Sequence, residues 1–98
     1  MIEKTGGSLR VTVPMVIANA CALLEAGRSF LQAGDLSASG VLFDFSAVEE
    51  ADSSALTLVF AWLRSAQEHH INLRVTYPPS SMLSLAELYG ISDFLPLA

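Results

Sequence analysis

The side chains best suited to chemistry crowd into residues 44–54, where Asp44, Ser46, Glu49, Glu50, Asp52, Ser53 and Ser54 follow one another closely. Carboxylates at this density could hold magnesium, but no Gly-rich phosphate loop and no catalytic Lys accompany them. Serines, histidines and aspartates together could compose a hydrolytic triad, yet the chain has no Gly-x-Ser-x-Gly elbow. His69 and His70 are adjacent. On a helix they point about 100° apart, so they do not readily share a metal and fit a solvated helix end instead. Cys21 is alone, which excludes an internal disulfide and a CxxC motif; on a helix it reads as a small buried hydrophobe. No catalytic residue, metal or cofactor is therefore expected. What remains is Asp52-Ser53-Ser54, two hydroxyls at a helix start backed by unpaired N–H groups. Such a start favours negative charge and tolerates a phosphoryl group on serine. An ordinary N-cap has the same composition, so residue type alone leaves capping and docking both open.

The elements that must position these residues follow from the periodicity. Ser8–Val13 alternates polar and apolar residues as a half-buried strand does, and Pro14 ends it. Val16, Ala20, Leu23, Leu24, Gly27, Phe30 and Leu31 recur at helical steps within Met15–Ala33, and Gly34-Asp35 closes that helix. Gly40–Ser46 is a nearly continuous apolar run, suited to a strand covered on both faces or placed centrally in the sheet. After the acidic loop Glu49–Ser53, a second helix covers Ser54–His70, with Asp52 or Ser53 as its cap. Ile71–Thr76 is the next strand, and Ser80–Tyr89 is a third helix with Gly90 as its C-terminal stop. The apolar tail Phe94-Leu95-Pro96-Leu97 fits the sheet edge or the last helix. Strands alternating with helices predict one α/β domain over residues 1–98, with a small, mainly parallel or mixed sheet of about four strands packed with amphipathic helices.

Composition narrows the partners. Of the 98 residues, 52% are hydrophobic and 15% charged, the opposite of a disordered chain. No apolar run approaches the ~20 residues needed to span a bilayer, and Met1-Ile2-Glu3-Lys4 lacks the order of a signal peptide. A cytoplasmic protein without direct membrane insertion is expected. The net charge of −5, with five scattered basic residues, argues against nucleic acid and against an electrostatic grip on anionic lipid.

The segment VLFDFSAVEEADSSALTLV resembles the signature of STAS domains, the family of anti-sigma factor antagonists and sulphate-transporter tails. Asp44, Ser46, Val48, Asp52, Ser53, Ser54 and Leu56 fall on that pattern. Ala55 stands where the antagonists have Gly, and Thr12-Val13-Pro14-Met15 replaces their Gly-Glu-Leu/Ile-Asp turn. The tail Leu85–Ile91 followed by Leu95-Pro96 is instead similar to the MlaB-type branch, the small cytoplasmic STAS subunit of the Mla phospholipid-transport ABC system. That resemblance implies a non-catalytic subunit that binds an MlaF-like ABC ATPase within a membrane permease complex. It would sit peripherally at the inner face of the cytoplasmic membrane, with Ser53 as the hydroxyl that meets the ATPase. The antagonist branch implies a different use, phosphorylation of Ser54 by an anti-sigma kinase.

The second helix bears on the same choice. Leu56, Val59, Phe60 and Leu63 share its core side, while Leu58, Trp62 and Ser65 fall on a neighbouring arc that begins near Ser54. A Leu and a Trp below a hydroxylated helix start have the makings of a binding hot spot. They equally fit the wide apolar face of a helix laid between a sheet and its neighbours. Asp52, Ser53, Ser54, Leu58 and Trp62 are the expected partner-binding residues.

Overall fold

The computed structural model describes residues 1–33 and 40–98. The stretch Gly34-Asp35, expected to close the first helix, lies outside the described residues. The chain order is β1 (Ile2–Thr5), β2 (Ser8–Val11), α1 (Ile17–Gln32), β3 (Val41–Asp44), α2 (Ser53–Glu68), β4 (Leu73–Thr76), α3 (Ser80–Leu88) and a 3₁₀ turn at Ser92–Phe94. The sheet runs β1-β2-β3-β4, antiparallel between β1 and β2 and parallel elsewhere. It is thus the small mixed sheet expected from the pattern.

β1 is an addition to the elements read from periodicity. Thr5 pairs with Ser8 across a two-residue Gly6-Gly7 loop, and Gly6 takes φ +61°, which glycine adopts without steric cost. In β2, β3 and β4 alternate residues turn inward: Leu9, Phe43 and Val75 stand side by side across the strands and are buried. Arg10, Leu42 and Arg74 face the other way and are exposed. The helices therefore cover one face only. The apolar run around Phe43 reflects the central position of β3, not cover on both sides, and Leu42 is 37% exposed.

The core lies between this face and the helices, and its largest members are Trp62, Phe43 and Phe45. Trp62 stacks on Phe43 with ring centroids 4.6 Å apart and planes 6° from parallel. α1 can close over that ring because residue 27 is glycine, whose absent Cβ would lie 2.2 Å from Trp62 Nε1. The indole N–H, left without water, donates to Leu24 O at 3.3 Å. Both α2 and α3 end in a Schellman arrangement. His70 N–H reaches Gln67 O and Ile71 N–H reaches Ala66 O; Gly90 and Ile91 do the same at Glu87 and Ala86. The tail covers the free edge of β4, where Val75 N–H donates to Pro96 O and Ala98 N–H to Val75 O.

Candidate functional site

Parallel strands deliver their following helices to one end of the sheet, so α1 and α2 both begin beyond the C-terminal ends of β2 and β3. The two lead-in loops are tied together there. Met15 N–H donates to Glu50 O at 2.9 Å, and Asp52 N–H donates to Met15 O at 3.2 Å. This places the Asp52 carboxylate between two helix starts. Its Oδ1 accepts from Ser54 N–H at 2.8 Å and its Oδ2 from Ile17 N–H at 3.0 Å. Val16, the N-cap residue of α1, offers no side-chain cap of its own. One carboxylate therefore satisfies orphan donors of two helices at once. The Ile17 N–H is the main cause holding the Asp52 carboxyl below its ordinary value; burial opposes it, and the Ser54 N–H and hydroxyl add to the lowering.

The other aspartate of the motif is also occupied. Asp44 Oδ1 accepts from Ser46 N–H at 2.8 Å, folding the chain into a turn as it leaves β3. The Ser46 backbone and hydroxyl hold its carboxyl low, with a smaller contribution from the charge of Arg10. Asp44 and Asp52 thus brace the loop from either end, while Glu49 and Glu50 between them are exposed.

With Asp52 as the cap, α2 starts at Ser53, one residue earlier than the periodicity predicts. Ser53 is exposed and its hydroxyl is not required for capping. Ser54 is half-buried at the mouth of an apolar groove of about 170 Å³ between α1 and α2. α1 contributes Ile17, Ala20, Cys21 and Leu24 to its walls; α2 contributes Ser54, Thr57, Leu58 and Ala61. Leu58 is buried against the core but reaches the groove floor.

Trp62 does not belong to this surface. At 1% exposure, stacked on Phe43 and roofed by Gly27, it is a core residue, and the expectation that it anchors a partner is corrected. Its arc on α2 is the side that faces α1 and β3, because a helix wedged between a sheet and another helix buries far more than one stripe. Leu63, expected in the core, is half-buried and packs against the core from its edge. Cys21, expected to be buried, is exposed on the groove wall. The residue that sequence reasoning missed is Ile17, 74% exposed beside the Asp52 carboxylate. Its signal was present: Ile17, Cys21 and Leu24 form their own helical stripe, displaced from the one through Leu23, Gly27 and Leu31.

Among proteins of known family, the model of the MlaB-type STAS domain matches residues 2–97. The chain belongs to that family. The intermembrane phospholipid transport system binding protein MlaB of Haemophilus influenzae is 33% identical over 66 residues, which is 67% of this chain. The match spans 63% of that protein's own length. Among solved structures, a Thermotoga maritima protein described as a candidate anti-sigma factor antagonist superposes with a TM-score of 0.74 at 16% identity. That superposition covers 99% of this chain and 83% of the other. The unphosphorylated anti-sigma factor antagonist SpoIIAA superposes with a TM-score of 0.66 at 13% identity, covering 90% and 81%. These two likenesses show the fold. In this MlaB-type STAS domain Asp44 and Asp52 brace the loop, Ser54 lines the α1–α2 groove and Ser53 is exposed at the start of α2.

Proposed function

We propose that this MlaB-type STAS domain is a non-catalytic subunit that binds and regulates or stabilises the ABC ATPase of an intermembrane phospholipid-transport system. The observation that carries the proposal is the surface at the paired helix starts. Ser53 stands free of capping duty, and Ile17, whose N–H is held by Asp52, is exposed on the wall of the apolar groove. Leu88, Tyr77 and Phe94 are about as exposed as Ile17, but Ile17 is the one of the four that lines the groove. Covering an isoleucine contributes about 1.5–3 kcal/mol. Ser53, Ser54, Leu58 and Ile17 form the contact, Asp52 positions them, and Trp62 supports the helix from beneath. Among the described residues no helix is long and apolar enough to cross a membrane. The subunit would accordingly sit in the cytoplasm and reach the membrane through the ATPase and its permease.

The competing use of the same pole is that of an anti-sigma factor antagonist, switched by phosphorylation of Ser54. Affinity purification from the native cell separates the two. An ATPase with its permease is the expected catch; a kinase-like anti-sigma factor, with stoichiometric phosphate on Ser54, would reverse the assignment. The face is tested by Ser53→Arg combined with Ile17→Asn. Loss of about 2 kcal/mol, roughly thirtyfold in affinity, is expected for a central contact. A folded double variant that binds the ATPase as the parent does would refute this docking face.

A further inference from the structure

Among the described residues, His70 (φ 57°) and Tyr77 (φ 54°) take a left-handed backbone without being glycine. His70 closes α2, where such a conformation completes the Schellman arrangement. Tyr77 closes no helix. It follows β4 directly and precedes Pro78-Pro79. Any Cβ resists this conformation, and a following proline favours extended backbone in the residue before it. The Tyr77 side chain is 70% exposed, so its own burial returns little of that cost. Backbone held in such a state concentrates at binding and switch sites.

The register fixes where that ring stands. Asp44 pairs with Thr76, and Phe45 N–H donates to Thr76 O at 3.0 Å. Tyr77 therefore leaves the sheet beside the start of the loop that Asp44 and Asp52 brace. On the other side of that loop, Met15 N–H holds Glu50 O at the lead-in to α1. Ile17, Ser53 and Tyr77 thus share the end of the sheet where β2, β3 and β4 finish. Strands lie about 4.8 Å apart, which separates the exits of β2 and β4 by roughly 10 Å. That distance falls within the about 800 Å² that a stable interface covers on each partner. Leu88 and Phe94, also exposed, come at and beyond the C-terminal end of α3 instead.

We propose that Tyr77 is a second anchor of the ATPase contact, an aromatic ring held out by a strained turn and received by an apolar pocket of the ATPase. This rests on the docking surface proposed above and extends it across the braced loop to the connection between β4 and α3. Pro78 and Pro79 fix the backbone that follows, and a tyrosine has few torsions to lose, so little freedom is given up on docking. An anionic lipid surface suits this end of the sheet less well, because its headgroups would meet the exposed Glu49 and Glu50. Glycine or asparagine would relax the turn and remove the anchor. Stability and binding should therefore move in opposite directions when Tyr77 is replaced.

The test uses the whole chain and the phospholipid-transport ATPase of the same organism, with affinity measured by calorimetry and melting temperature recorded for every variant. Tyr77→Gly and Tyr77→Asn should melt at or above the parent temperature, yet bind the ATPase at least about tenfold more weakly. His70→Gly relaxes the same conformation at the end of α2 and should leave the affinity unchanged, which separates loss of the ring from relief of strain. If both Tyr77 variants bind like the parent while Ser53→Arg with Ile17→Asn loses affinity, the anchor is refuted and the docking surface survives. If the Tyr77 variants lose affinity and that double variant does not, the anchor stands and the surface around Ser53 and Ile17 falls. A lowered melting temperature for both Tyr77 variants would mean that the ring serves the fold, which also overturns the proposal. Phosphatidylglycerol vesicles that bind the parent chain but not Tyr77→Asn, with ATPase affinity unchanged, would assign the ring to lipid and overturn it too.

Discussion

Gly27 is the position where the packing of α1 on α2 can be tested by a single methyl group. In an exposed helix interior, replacing Gly by Ala stabilises by about 1 kcal/mol. At residue 27 the new Cβ would lie 2.2 Å from Trp62 Nε1, 2.5 Å from Cε2 and 2.9 Å from Cδ1. The first of these is roughly 1 Å inside van der Waals contact. The ring has nowhere to retreat, because its other face is stacked on Phe43. α1 must lift from α2, and overpacking of this kind costs about 1–3 kcal/mol. The clash should offset or exceed the propensity gain, for a net loss of up to about 2 kcal/mol. At about 4–8 °C per kcal/mol in a domain of this size, the melting temperature should fall by up to roughly 16 °C. The three atoms in conflict all belong to the five-membered ring of the indole. Trp62→Leu removes that ring, so Gly27→Ala should become neutral or stabilising in the Trp62→Leu background. A coupling of at least about 1 kcal/mol is then expected from the double-mutant cycle in urea. If Gly27→Ala stabilises the otherwise unaltered chain, or if the cycle shows no coupling, Trp62 does not sit under α1 as described.

Three further outcomes are expected. Phe43→Ala should cost about 3–5 kcal/mol in chemical denaturation, whereas Leu42→Thr on the bare face should stay within about 0.5 kcal/mol; similar losses for both would mean that the sheet is covered on two sides. His70→Gly should raise stability by about 1 kcal/mol, because His70 occupies a left-handed conformation (φ 57°) at a helix end where glycine carries no Cβ penalty. The Asp52 carboxyl is held below its ordinary value of 3.8, so its stabilisation is present above that pH and disappears as pH falls through the lower folded value. Asp52→Asn should remove part of that acid dependence and speed hydrogen exchange at both the Ile17 and Ser54 amides; an effect at Ser54 alone would refute the double cap.

The alternation of strands and helices was legible because period-2 and period-3.6 patterns report backbone directly, and the STAS motif placed the strand, loop and helix around Asp44 and Asp52. β1 was not read, since Ile2–Thr5 buries almost nothing and so carries little hydrophobic pattern; the Gly6-Gly7 pair was its available sign. The assignment of faces on α2 was the weaker part. Leu56, Leu58, Val59 and Trp62 are all buried, leaving no polar arc between a core stripe and a docking stripe to separate them by periodicity. Ile17 was obscured by the converse problem. α1 is rich in alanine and leucine, so the stripe of Ile17, Cys21 and Leu24 was overshadowed by the longer one through Leu23, Gly27 and Leu31.

The structure assigns the capping within Asp52-Ser53-Ser54 to Asp52. Capping and docking compete only if the same side chain must do both. Here Asp52 alone provides the acceptor for Ser54 N–H and extends the same service to Ile17 N–H. The two helix starts are thereby fixed relative to one another by a side chain that is not itself a wall of the groove. That leaves the Ser53 hydroxyl and the Ile17 side chain exposed at a spacing the fold controls. A residue pattern common to ordinary caps thus becomes a rigid surface through one long-range hydrogen bond, from residue 17 to residue 52. If the proposed ATPase contact is right, displacing that bond should weaken it even where Ser53, Ser54, Leu58 and Ile17 are all intact.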